Sequence, residues 1–101
     1  MKLKYPAKVR IGSKEFKVKY SKGHDGGAIS YEKGLIEIGT RGDNVTTLDV
    51  IIHELKEAIQ IEQSVRFDSP HTDGEFHFFY DHGHHTDLCS RLAGLLDLFI
   101  K

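Results

Sequence analysis

Apolar and polar side chains alternate through the first part of the chain. Val9 and Ile11 alternate with Lys8 and Arg10, and Phe16, Val18 and Tyr20 alternate with Glu15, Lys17 and Lys19. A period of two with one apolar face predicts half-buried antiparallel strands. Gly12-Ser13 between the two runs suits a two-residue hairpin turn. Two further strands are predicted at Ala28–Tyr31 and Leu35–Gly39, joined through Glu32-Lys33-Gly34. The intervening Gly23-His24-Asp25-Gly26-Gly27 is a loop; it lacks the Gly-Lys-Ser/Thr ending of a phosphate loop, which argues against nucleotide binding there.

The period changes after Arg41-Gly42-Asp43-Asn44. From Leu48 to Gln63 the apolar residues recur with helical spacing, and Asn44, Thr46 or Thr47 is the expected N-cap. Leu48, Ile51, Ile52, Leu55, Ala58 and Ile59 form a broad core arc, and Asp49, Lys56, Gln60 and Gln63 a solvent stripe. His53, Glu54 and Glu57 occupy a third sector flanked by Val50 and Ile61. Those apolar flanks predict that the sector is covered.

Ser64–Gly74 is polar and turn-rich and is expected to be a surface loop. Glu75–His82 has the pattern of a short strand with Phe76, Phe78 and Tyr80 on one side. A last helix is predicted from about His84 or His85 to Ile100, its apolar stripe made by Cys89, Leu92, Leu96 and Phe99. His85 falls within that stripe, whereas His84 and Asp87 fall on the polar side. The expected fold is α+β: a small antiparallel sheet packed on a central helix, with a second helix at the C-terminal end, in one domain spanning 1–101.

Composition fits this picture. A chain of 101 residues with 39% apolar and 29% charged residues suits one modest core. No apolar run has the length of a membrane span, and the basic start MKLKYPAKVR lacks the apolar stretch of a signal peptide. The lone Cys89 forms no internal disulfide, as expected of a reducing, cytoplasmic setting. The net charge of −1 gives no overall case for nucleic acid. The charge is uneven, however: eight lysines and arginines face only Glu15 in the first 22 residues. The expected reading is a solvated strand face, with a basic docking surface as the alternative.

The chemistry concentrates in His53-Glu54-Leu55-Lys56-Glu57. Residues four apart on a helix lie one turn above each other, about 5–6 Å between Cβ atoms. An imidazole and a carboxylate so placed can share a metal ion at about 2.0–2.2 Å. Glu54, beside the first ligand, is then positioned as a general base. If the last helix packs on this one, His85 meets His53 and Glu57. That would make two imidazoles and a carboxylate with a fourth position open to water, the composition of a catalytic zinc site. His82 and His84 are alternatives to His85, which helical phase favours. Donors of this kind also accept Mn, Fe, Co or Ni. Asp81 or Asp87 is a candidate to orient a ligand imidazole; the sequence identifies no one oxyanion-stabilising residue, Tyr80, His82 and His84 being the candidates.

Other catalytic patterns are missing. Cys89 lies in no nucleophile motif, and the chain has no Gly-x-Ser-x-Gly elbow.

The order of elements, with Gly27-Ala28-Ile29-Ser30-Tyr31, Ile36-Glu37-Ile38, Ile51-Ile52-His53-Glu54-x-x-Glu57-Ala58-Ile59 and a Leu-rich last helix led by a His, resembles the small phage- and prophage-encoded zincin-like proteins. That resemblance implies a minimal metallopeptidase fold in a bacterial or phage-infected cytoplasm. It implies metal ligands at His53, Glu57 and His85, with Glu54 as base. The implied activity is zinc-dependent hydrolysis of a peptide or protein. For such an enzyme Leu35–Gly39, expected as the exposed edge strand nearest the motif, is the candidate to pair with a substrate peptide. A non-catalytic metal-binding or regulatory role is the alternative. The His-rich stretch 64–83 is longer than that pattern implies.

Overall fold

The computed structural model describes residues 1–63 and 81–101, together with the backbone of 66–68 and 76–78. The alternating segments form β1 (Lys8–Ile11) and β2 (Lys14–Ser21), followed by β3 (Gly27–Ser30) and β4 (Leu35–Gly39). Gly12 and Gly34 sit in the two turns at φ of +63° and +64°, a conformation that glycine adopts without steric cost. The sheet order is β1-β2-β4-β3. Both hairpins are antiparallel, but β2 and β4 run parallel, with Lys17 opposite Leu35 and Tyr20 opposite Ile38. The expected α+β architecture is present, and its sheet is mixed rather than wholly antiparallel. Leu35–Gly39, expected at an edge, is interior. β3 is the edge strand beside the helix that carries the motif.

That helix, α1 (Asn44–Glu62), is capped by Asp43, whose Oδ1 accepts from the Thr46 N–H at 2.8 Å. Asp43 therefore takes the place expected of Asn44, Thr46 or Thr47. The side chains of Ile51, Leu55, Ala58 and Ile59 are buried against Val9, Ile11, Phe16, Val18, Ile36 and Ile38 of the sheet. Leu48 and Ile52 are only partly buried. All the core positions of the sheet lie on one face, and among the described residues no helix lies over the other.

α2 (His82–Leu96) begins at the N-cap Asp81 and packs along the last turns of α1. The solvent stripe expected on α1 ends there: Asp49 and Lys56 are exposed, but Gln60 is buried. Gln63 reaches across, its Nε2 donating to His84 O (3.0 Å) and to Asp87 Oδ2 (2.8 Å). Arg91 bridges to Glu62 on α1 and to Asp87 on its own helix. The buried residue of α2 is Leu88, with Leu92, Leu95 and Leu96 partly buried. Cys89 is exposed. The packed face keeps Leu92 and Leu96 of the expected stripe but takes Leu88 and Leu95 in place of His85 and Cys89. Phe99 is buried but lies past the helix end, where Lys4 N bonds Phe99 O at 2.7 Å and Leu3 bridges Ile100.

Within the expected 64–74 loop, Arg66–Asp68 forms β5, which pairs antiparallel with β6 (Phe76–Phe78). The shared face expected of Phe76, Phe78 and Tyr80 lies outside the described side chains, as does His71. Among the described residues, no helix is long and apolar enough to cross a membrane.

Candidate metal centre

The sheet-facing arc of α1 fixes the rotation of the helix and so decides where the motif points. His53 and Glu57 come out one turn apart, with Nε2 and Oε1 separated by 3.6 Å. Glu54 is buried. One donor atom from each of His53, Glu54 and Glu57 lies within 4.8 Å of the others, the group of this kind found among the described residues. Two ligands of a tetrahedral ion at about 2.0–2.2 Å stand roughly 3.3–3.6 Å apart. The His53–Glu57 pair already has that span. A carboxylate within 4.8 Å is brought in by a side-chain adjustment of about an ångström. One imidazole and two carboxylates therefore fit a divalent ion such as zinc, and equally the harder first-row ions.

The expected cover over this sector is incomplete. The His53 side chain is 66% exposed and that of Glu57 20%. Val50 and Ile61 are partly buried. His53 and Glu54 line a cleft of about 230 Å³ with Asp49, Val50, Gly26 and Gly27. Gly27 starts β3, and its lack of a side chain permits the approach of α1. A Cβ there would stand 2.7 Å from Val50 Cγ1 and 3.0 Å from Glu54 Cγ. The motif reading missed Gly27. The Gly26-Gly27 doublet ahead of a strand was its signal, since glycine in a strand marks close approach of another element.

His85 does not join the group. It is exposed on α2, its Nε2 3.7 Å from Cys89 Sγ one turn further on. The expectation that His85 meets His53 and Glu57 assumed that α2 buries its His85–Cys89 side, and it buries the Leu88 side instead. His82 is exposed in the first turn of α2. His84 completes a capping box: its N–H donates to Asp81 Oδ1 (2.9 Å), and its Nδ1 accepts from the Asp81 N–H (3.4 Å). Asp81 thus serves the helix end. The His84 backbone N–H, foremost, holds the Asp81 carboxyl below its ordinary pKa. Asp87 is likewise lowered, first by the Gln63 side chain and also by Arg91. Asp87 ties α2 to α1 through Gln63, Asp81 caps α2, and neither orients His53.

No protein-family model, curated protein or solved structure matches this chain. The likeness to zincin-like proteins stays with the motif residues that suggested it.

Proposed function

We propose that the protein binds a divalent transition-metal ion, zinc foremost, through His53 and Glu57, and that it is a metal-dependent hydrolase of peptides with Glu54 as general base. One observation supports this reading: three donor groups of the right chemistry converge within 4.8 Å at the wall of a cleft. A bound divalent ion would supply a water of lowered pKa and a Lewis acid for a carbonyl. Glu54 takes the proton of the attacking water onto its carboxylate and passes it to the leaving amine. The outer edge of β3, which pairs with no strand among the described residues, offers backbone groups to an extended peptide. This edge replaces Leu35–Gly39 in that role.

A second reading is favoured by the position of His85 outside the group. Glu54 then acts as the third ligand, and the site is a non-catalytic metal centre in a binding or regulatory protein. Metal content of the purified protein, together with peptide hydrolysis, separates the two. Both predict loss of metal in His53→Ala and Glu57→Ala and retention in His85→Ala. Glu54→Gln keeps the metal and abolishes hydrolysis if Glu54 is the base, and weakens metal binding if it is a ligand. Metal-free wild-type protein that takes up no zinc on titration would overturn both.

A further inference from the structure

β3 lies beside the motif-bearing turn of α1, and the ladder on its inner side fixes which groups its outer edge offers. The Gly39 N–H donates to Gly26 O at 2.7 Å, so Gly26 and Gly39 are a hydrogen-bonded pair of the antiparallel β3–β4 ladder. Such pairs alternate with non-bonded ones. With Gly27 opposite Ile38 and Ile29 opposite Ile36, the N–H and C=O groups of Gly27 and Ile29 therefore turn outward. A peptide strand added to this edge bonds to those two residues. Its residue opposite Gly27 shares the face of Gly27. That is the face towards α1, because a Cβ on Gly27 would meet Val50 Cγ1 and Glu54 Cγ.

A side chain on that face enters the cleft beside His53. Its volume, about 230 Å³, is below the roughly 300–1,000 Å³ of a small-molecule site and suits one side chain of a bound peptide. Gly26 and Gly27 leave one wall bare, Val50 adds an apolar patch, and Asp49, His53 and Glu54 supply the polar groups. Asp49 stands one helical turn before His53. It is exposed and has no ion pair among the described residues. Among those residues no lysine or arginine lines the cleft. The two charges of a divalent ion are offset by Glu54 and Glu57, which leaves the Asp49 carboxylate as the uncompensated charge.

We propose that the cleft takes a basic side chain, lysine or arginine, of an extended peptide paired to Gly27 and Ile29, and that Asp49 sets this specificity. The inference rests on the metal-site reading above and names the substrate class for it. A carboxylate on the wall attracts an ammonium or guanidinium group and repels an acidic side chain. The methylenes of a basic side chain can also lie along Val50 while its charged end stays near water.

Fluorescence anisotropy on the zinc-loaded full chain tests it, with labelled, end-blocked peptides that differ only in a central Lys, Met or Glu. Zinc content and cleavage are measured on the same samples, and affinity is taken from the first readings. The Lys peptide should bind about fivefold more tightly than the Met peptide, the upper end for an exposed ion pair, and the Glu peptide more weakly than either. Asp49→Asn should bring the Lys and Met peptides to one affinity with zinc retained, and Asp49→Lys should favour the Glu peptide. N-methylating alternate backbone amides of the Lys peptide should weaken binding in one phase only, since a paired strand turns every second N–H away from β3. Peptides held alike or not at all, a Lys preference that survives Asp49→Asn, or zinc lost in Asp49→Asn would overturn the inference. Zinc bound and the Lys peptide preferred but left uncut would overturn the hydrolase reading and support the inference. A chain that takes up no zinc would overturn both.

Discussion

Gly27 and Glu54 touch across the junction of β3 and α1, and the missing side chain of one sets the position of the other. A Cβ on Gly27 would stand 3.0 Å from Glu54 Cγ and 3.0 Å from the Glu37 carbonyl oxygen. The strand can therefore lie against the motif-bearing turn of the helix only with glycine at this position.

Gly27→Ala should force α1 outward at that turn. The expected loss is about 1–3 kcal/mol, the range for overpacking a fitted contact, measurable by denaturant unfolding. Zinc affinity should fall in the same variant if the centre is as proposed, because the displaced turn carries both Glu54 and His53.

The rotation of α2 makes a paired prediction. Leu88 is buried and Cys89 exposed. Leu88→Ala should cost about 2–5 kcal/mol, whereas Cys89→Ala should stay within about 0.5 kcal/mol of the parent. The reverse order in thermal or denaturant melts would restore the His85–Cys89 face to the interior.

Acid sensitivity should follow from Asp43, Asp81 and Asp87, whose pKa values are all lowered in the folded chain. The leading causes are, in turn, the Thr46 N–H, the His84 N–H and the Gln63 side-chain amide. Each group releases its proton more readily folded than unfolded. Its contribution is complete above the ordinary carboxylate pKa of about 4 and disappears as pH falls through the depressed value. Unfolding midpoints measured from neutral pH downward should hold until about pH 4 and then drop.

Gln63→Ala isolates one of these couplings. It removes the hydrogen bond to Asp87 and the one to His84 O, so α1 and α2 lose a direct tie. The Asp87 carboxyl should then titrate at higher pH than in the parent, closer to its ordinary range. Carboxyl carbon chemical shifts followed by NMR across the acid range would detect this. An unmoved Asp87 titration would place its stabilisation elsewhere.

Strands and the central helix were legible because each buries one face, and burial on one face leaves a period in the sequence. Phe16 and Val18 against Lys17 and Lys19 allow one assignment of inside and outside. The last helix was not legible in the same way. Leu88, Leu92, Leu95 and Leu96 populate two adjoining arcs, and partial burial on a thin protein leaves the choice between them to tertiary contacts such as Gln63 with His84. The parallel seam of β2 and β4 was hidden too, since hairpin turns report only the pairing of neighbours in sequence. Of the candidate centre, His53, Glu54 and Glu57 were readable because helical spacing alone brings them together. His85 depended on packing between helices, where periodicity is silent.

The parallel seam has a consequence for how the chain assembles. Each antiparallel pair closes through a tight glycine turn and so can form on the microsecond scale of isolated hairpins. Register between Lys17 and Leu35 has to wait until the β1–β2 hairpin meets the β3–β4 hairpin as a preformed unit, a non-local step that carries the larger loop-closure entropy. That encounter is where the barrier to refolding should lie. Truncating Val18 or Ile36 should slow refolding more than loosening either turn.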